Sequence, residues 1–305
     1  MRHPLNTPRN TFLMLTAALA LIALVSFVIQ NVSNHSTELA GRPAFTEAQI
    51  SSTREIEVVT SDATYTLKRI ETGWVMPEKA DFPVAENAIT SLLTALTDLN
   101  IEMSTTQLPA RHALLGLTDP ADSGFGARLT LDQDSSRIFG QRAGQQFMRE
   151  PEEDQTYQVS PVLPPLYNPM RWIDLSDDTL PRLTGEIVQI QLETNVTDAI
   201  YRLSSGVWHK DGSDEEPVNA APLNNAIYAS YYLEFTDVRR RTDAQAFARI
   251  GFGYADGETQ IISLVREGNE TWARFEFSDG IADVELYESR EFKLEALSVA
   301  DLLLE

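Results

Sequence analysis

The sequence predicts an α+β protein in which an N-terminal transmembrane helix precedes two duplicated units, each an antiparallel sheet with a helix packed on one face. Three observations predict it. A long uncharged apolar run lies near the start, a pattern of strand, turn, strand and tryptophan occurs twice, and an amphipathic stretch follows each occurrence.

The apolar run extends from Thr11 to Ile29, and no Asp, Glu, Lys or Arg lies between Arg9 and Glu38. At about 1.5 Å rise per residue it spans close to the ~30 Å hydrocarbon core of a bilayer. Arg2 and Arg9 flank it on the N-terminal side, whereas Gln30 to Thr37 carry no Lys or Arg. The positive-inside bias then makes residues 1–10 cytoplasmic, residues 11–30 a transmembrane helix in the lipid bilayer, and the remainder extracytoplasmic. A cleaved signal peptide has a shorter apolar region, about 7–15 residues, ending in a small-x-small site. Here the run is longer and closes on Val28, Ile29, Gln30 and Asn31, which favours an uncleaved anchor. Residues 31–49, polar and containing Gly41 and Pro43, read as a spacer.

Hydrophobic residues make up 43% of the chain, with 13 Phe, 9 Tyr and 4 Trp, enough apolar area for sizeable cores in 305 residues. Lys and Arg number 24 against 45 Asp and Glu, a net charge of −21. Nucleic-acid binding depends on cationic side chains meeting phosphates, so a nucleic-acid partner is excluded, and anionic lipid head groups are disfavoured for the folded part. The absence of cysteine excludes disulfides, thiolate metal sites and thiol nucleophiles.

The first occurrence of the repeated pattern opens with Glu55, Ile56 and Val58, continues with Tyr65 and Leu67, and closes on Gly73 and Trp74. The second opens with Glu186, Ile187 and Ile190, continues with Tyr201 and Leu203, and closes on Gly206 and Trp208. Apolar residues then recur from Pro83 at Val84, Ala88, Leu92, Leu93 and Leu96, and from Pro222 at Leu223, Ile227, Tyr231, Tyr232 and Phe235. This spacing places them on one helical face, with proline in the first turn. Strand and turn signals fill the second halves, including the hairpin dipeptides Asp256-Gly257 and Asp279-Gly280. The units are accordingly bounded at 50–180 and 181–305. Trp74 and Trp208, matched in position, are expected in the cores.

No catalytic, cofactor or metal constellation emerges. His112 and His209, the histidines of the folded part, sit in no His-x-x-x-His or His-Glu-x-x-His pattern. Gly251-Phe252-Gly253 lacks the third glycine of a dinucleotide loop and lies in a β-rich stretch. The acidic runs Glu150–Asp154 and Asp211–Glu216 lack the spacing of a calcium loop and read as solvated turns. Arg239, Arg240 and Arg241 form the one basic triplet of an acidic domain, a possible docking point for an acidic partner or head group. The alternative to a binding or scaffolding domain is a carboxylate-dependent hydrolase of envelope glycans, which needs two suitably spaced Asp or Glu residues.

An ordered set of segments resembles the bacterial domain-of-unknown-function 4340 family. These are Gly73-Trp74, Leu92-Leu93-Thr94-Ala95-Leu96, Leu115-Gly116-Leu117-Thr118-Asp119-Pro120, Ile138-Phe139-Gly140, Phe147-Met148-Arg149, Tyr157-Gln158-Val159 and Trp172-Ile173-Asp174. The resemblance covers about 55–180. It implies a single-pass envelope protein in the bacterial inner membrane, with the bulk of the chain periplasmic. It further implies a non-catalytic accessory subunit of an ABC-type transport system, with permease or auxiliary subunits as partners. The family supplies no catalytic residue to carry over.

Overall fold

The structure, a computed structural model, describes residues 16–24, 40–173, 175, 185–212, 216–279 and 284–304. They are mostly β-sheet, in two sheets, with some helices. By its internal contacts the chain divides into two compact units, Met1–Thr64 with Thr90–Tyr167 and Tyr65–Ile89 with Asn168–Glu305.

The first sheet contains β1 (Glu55–Val59), β2 (Thr64–Ile70), β3 (Gly73–Met76), β4 (Phe82–Pro83), β5 (Asn100–Ser104), β6 (Ala127–Leu131), β7 (Ser135–Arg142), β8 (Gln145–Arg149) and β9 (Thr156–Ser160). Its order is β4-β3-β2-β1-β6-β7-β8-β9-β5. Helix α1 (Glu47–Ser52) precedes it, closed by a capping box between Thr46 and Gln49, and α2 (Glu86–Thr97) separates β4 from β5. The second sheet contains β10 (Ile187–Thr194), β11 (Asp198–Ser204), β12 (Val207–Lys210), β13 (Phe235–Arg240), β14 (Ala246–Tyr254), β15 (Thr259–Glu267), β16 (Glu270–Phe277) and β17 (Arg290–Leu294), in the order β12-β11-β10-β14-β15-β16-β17-β13. Helices α3 (Ala220–Tyr231), α4 (Glu285–Glu288) and α5 (Ala296–Leu302) belong to the second unit.

Apart from the two-residue strand β4, the two orders are the same path: three strands outward from β1 or β10, a helix, then a strand at the far edge followed by a meander. This arrangement is compatible with duplicated units. β2 and β11, β3 and β12, α2 and α3, and Trp74 and Trp208 are each separated by the same 134 positions. The hydrogen bonds agree, since Val84 N–H donates to the Trp74 carbonyl at 2.8 Å and Val218 N–H to that of Trp208 at 3.0 Å. Val75 pairs with Pro83, and His209 with Pro217.

The counterpart of Pro83 is therefore Pro217, and pairing it with Pro222 slips the two helices by five positions. The slip arises because small residues carry the inward face of α3: Leu223, Ala226, Ala229 and Ser230 are buried, followed by Leu233, whereas Tyr231 is half-buried and Tyr232 is 48% exposed. In the first copy the matching stripe is Ile89, Leu92, Leu96 and Leu99. A search for large apolar residues at helical spacing misses an alanine and serine face. The tryptophans also differ, Trp208 being buried and Trp74 half-buried. The fully buried indole is that of Trp172, whose Nε1–H donates to Tyr65 Oη at 2.8 Å.

Turn chemistry follows the backbone demand. Ala143-Gly144 and Ser205-Gly206 both take positive φ at two successive residues, as the tight β7–β8 and β11–β12 hairpins require. Asp256-Gly257 joins β14 to β15 with Gly257 at φ 95°, while Gly280 lies outside the described residues. In the first unit the edge of β5 is covered from without. Gly41 N–H donates to Ile101 O, Ile101 N–H to Arg42 O and Ala44 N–H to Leu99 O, at 2.8, 2.9 and 2.8 Å. That segment lies within residues 31–49, the stretch read as a spacer, and pairs with the β5 edge through the isolated bridge of Pro43 with Asn100. It satisfies edge groups that would otherwise template aggregation.

Residues 16–24 are helical, with Leu19, Leu21, Ile22 and Leu24 exposed. Among the described residues no helix is long and apolar enough to cross a membrane; the rest of the predicted 11–30 span lies outside them.

Leu92 is fully buried, so Leu92→Ala is expected to lower stability by about 2–5 kcal/mol in urea denaturation. Tyr231→Ala, at a half-buried position, is expected to produce a clearly smaller loss.

Candidate functional site

The two sheets differ in the connection that follows the far-edge strand. Between β5 and β6 the chain uses residues 105–126; between β13 and β14 it uses only 241–245. The longer connection begins with a 3-10 turn, Pro109–Leu115, which ends on Gly116 at φ 70°. Asp119 then caps a second short turn by accepting from Ala121 N–H at 3.0 Å.

This connection lies flush on β7. A Cβ on Gly140 would collide with the carbonyls of Leu115 and Gly116, and one on Gly126 would approach Ile138 at 2.6 Å and Thr118 O at 2.7 Å. Leu117, Ile138 and Phe147 form a small core, with Leu115 packed against it. Arg149 pins the arrangement from β8. Its Nε–H donates to Leu117 O at 2.8 Å, and Nη1 donates to Glu150 O at 3.0 Å and Pro151 O at 2.6 Å. Burial depresses the Arg149 pKa, opposed in part by nearby Asp119. Asp119 itself is ion-paired with Arg128.

Beside this connection a groove of about 230 Å³ runs between β6–β8 and the proline-rich segment after β9. Ala127, Phe139 and Gln146 form its sheet side, and Val162, Leu163 and Pro164 face them. Gln146 Oε1 accepts from Leu163 N–H, tying the strap to β8. At the rim Tyr167 Oη–H donates to the Phe125 carbonyl at 3.0 Å, which joins the strap to the long connection. Nothing in local sequence signals this groove, because its two walls come from segments whose contact is set by the sheet.

The residues singled out from sequence fall elsewhere. Arg239 donates through Nε to Glu291 at 2.7 Å, is ion-paired with Glu267, and lies 3.9 Å above the Trp272 ring centroid. Arg241 meets Glu276 at 3.2 Å. Arg240 is the most exposed of the three, its side chain 78% exposed and 3.5 Å from Asp81. Arg239 and Arg240 close β13 and, as adjacent strand residues, take opposite faces, while Arg241 follows the strand.

His112 is buried and its Nε2 lies 3.0 Å from the Asp154 carbonyl, a packing contact of the long connection. His209 sits in β12 opposite Arg202. Gly251 and Gly253 are strand residues of β14, facing Gln191 and Gln189. Of the second acidic run, residues 213–215 lie outside the described residues. Among the described residues no group of three His, Asp or Glu side chains could hold a metal ion.

The buried carboxylates among the described residues are Asp119 and Glu291. Glu291 Oε1 accepts from Arg274 Nε at 2.7 Å and from Thr242 N–H at 3.0 Å. Burial pushes the Glu291 carboxyl up, but the hydrogen bonds from Thr242, Arg274 and Arg239 outweigh it and hold the pKa below the usual value. A glycosidase acid needs the opposite shift.

A family model described as a domain of unknown function, DUF4340, matches residues 74–244, more than half of the chain, and the chain belongs to that family. No curated protein and no solved structure matches it.

Glu291→Gln leaves Arg274 buried without its anion and is expected to lower stability at neutral pH by about 3–5 kcal/mol. Because the folded pKa is depressed, the stabilisation is complete above the unfolded glutamate pKa and is lost as pH falls through the folded value. Urea denaturation across this range should show the gap between wild type and variant narrowing as the solution is acidified.

Proposed function

We propose that this member of the domain-of-unknown-function 4340 family is a non-catalytic accessory or scaffold subunit. In this reading it is anchored in the bacterial inner membrane through residues 11–30, displays residues 50–180 and 181–305 outside as duplicated α+β units, and binds subunits of an ABC-type transport system. The observation that carries the binding role is the connection 105–126. It is locked in place by glycine contacts and by Arg149, yet leaves Leu108, Leu114 and Phe125 at 54%, 59% and 73% exposed. Fixed apolar side chains held in solvent serve recognition better than they serve folding. The uncharged run from Thr11 to Ile29 with its one-sided arginines supports the anchor. The family resemblance supports the transporter association. Arg240, the most exposed member of the triplet, is a secondary docking point for an acidic group.

Affinity capture of the full chain from mildly detergent-solubilised membranes is expected to recover permease or auxiliary subunits. Recovery of a lone monodisperse protein would overturn the reading. A reporter that works only outside the cytoplasm, fused after Glu305, is expected to be active, and a cytoplasm-dependent reporter silent. The reverse pattern would overturn the orientation.

A further inference from the structure

We infer that the groove between β6–β8 and residues 162–167 is a docking site for an extended segment of a partner protein, which inserts one large apolar side chain and offers a main-chain carbonyl to Gln146. This rests on the binding role proposed above and names the site and the chemistry of its occupant.

Size is the first argument. A cavity of about 230 Å³ lies below the roughly 300–1,000 Å³ of small-molecule sites, and suits a single leucine- or phenylalanine-sized side chain. The second is that apolar surface continues beyond the cavity. Val162 and Tyr167 are 46% and 45% exposed, and Phe125, joined to Tyr167 by a hydrogen bond, is 73% exposed. A small ligand filling the cavity would leave that rim in water, whereas a polypeptide covers both. Aromatic anchors surrounded by a water-excluding rim are the usual form of an interface centre.

The third argument is an uncommitted polar atom. Gln146 is 7% exposed and lines the groove; its Oε1 is taken by Leu163 N–H, while its Nε2 has no acceptor among the described residues and is not sealed from solvent. An amide N–H₂ left inside an apolar groove calls for an acceptor on whatever enters, and a peptide carbonyl is one. Pro164 and Pro165 in the opposite wall contribute no N–H of their own, and of the two lining glutamines Gln146 is the buried one while Gln141 is exposed. The chain's net charge of −21 favours basic residues flanking the anchor.

The test uses the full chain in detergent and a phage-displayed library of random twelve-residue peptides. Wild type is expected to enrich peptides with a central aromatic or leucine residue flanked by Lys or Arg. A labelled peptide of that consensus should bind at least tenfold more weakly to Phe125→Ser and to Val162→Asp, both exposed positions whose variants should melt like wild type. Gln146→Glu, which keeps the acceptor for Leu163 and removes the donor, should also weaken it. Leu297→Ser, at an exposed apolar site of the second unit, should leave binding unchanged.

No enrichment over a Phe125→Ser/Val162→Asp double variant, equal binding by all variants, or displacement of the peptide by laurate would overturn the inference. Self-association of wild type that Val162→Asp abolishes would overturn it in favour of a second copy. Transporter subunits captured equally by wild type and the double variant would sink this site while leaving the accessory role standing.

Discussion

A buried arginine at the fifth residue of β8, and again at the fifth residue of β16, is the constraint on which much of the rest depends. A guanidinium carries five N–H donors and cannot be neutralised, so burying it is tolerable only where acceptors converge on it. Arg149 and Arg274 are each 7% exposed. In both copies the connection after the far-edge strand supplies acceptors: Leu117 O reaches Arg149 at 2.8 Å, and Thr242 O reaches Arg274 at 2.8 Å. The cation thus ties the path of a loop to the centre of a sheet, in a chain that has no cysteine to do so covalently.

The two copies finish the same problem differently. Thr156, paired with Arg149 across β8 and β9, accepts from Thr106 N–H at 3.1 Å; Glu291 accepts from Thr242 N–H at 3.0 Å. Where the first copy uses a neutral hydroxyl and leaves Arg149 to backbone carbonyls, the second places a full carboxylate. That anion then draws in Arg239 as well as Arg274. Of the basic triplet, Arg239 is therefore part of this internal network, while Arg240 and Arg241 stay exposed. The triplet's apparent surplus of positive charge disappears once Glu291, Glu267 and Glu276 are placed beside it.

Much of the architecture was legible, because hairpins announce themselves locally: Asp256-Gly257 and the tryptophans at 74 and 208 stand where turn and strand chemistry puts them. The registration of the helices was not. A period of 3.6 admits several offsets, and the inward face of α3 is built of Ala226, Ala229 and Ser230, which carry no hydrophobic signal of their own. The groove was illegible for another reason. Phe139, Gln146 and Leu163 become neighbours only through strand pairing, and Gln146 resembles any surface glutamine until its burial is known. The ion pairs of the arginine triplet were illegible for the same reason, since Glu267, Glu276 and Glu291 lie far along the chain.

One glycine shows how the long connection became possible in one copy and not in the other. Gly140 pairs with Phe147, and Val265 pairs with Trp272; Phe147 and Trp272 are each the third residue of their strand, so Gly140 and Val265 occupy the same place. A Cβ at 140 would strike the carbonyls of Leu115 and Gly116, so a connection lying that close to β7 demands glycine there, and the valine of β15 forbids it. Three of the segments that carry the family resemblance, Leu115–Pro120, Ile138–Gly140 and Phe147–Arg149, thereby prove to be one assembly: the connection, the strand position that lets it approach, and the arginine that holds it. Tyr167 extends that assembly to the groove through the Phe125 carbonyl, so the rigidity imposed by Gly140 and Arg149 is also what fixes the apolar rim in place.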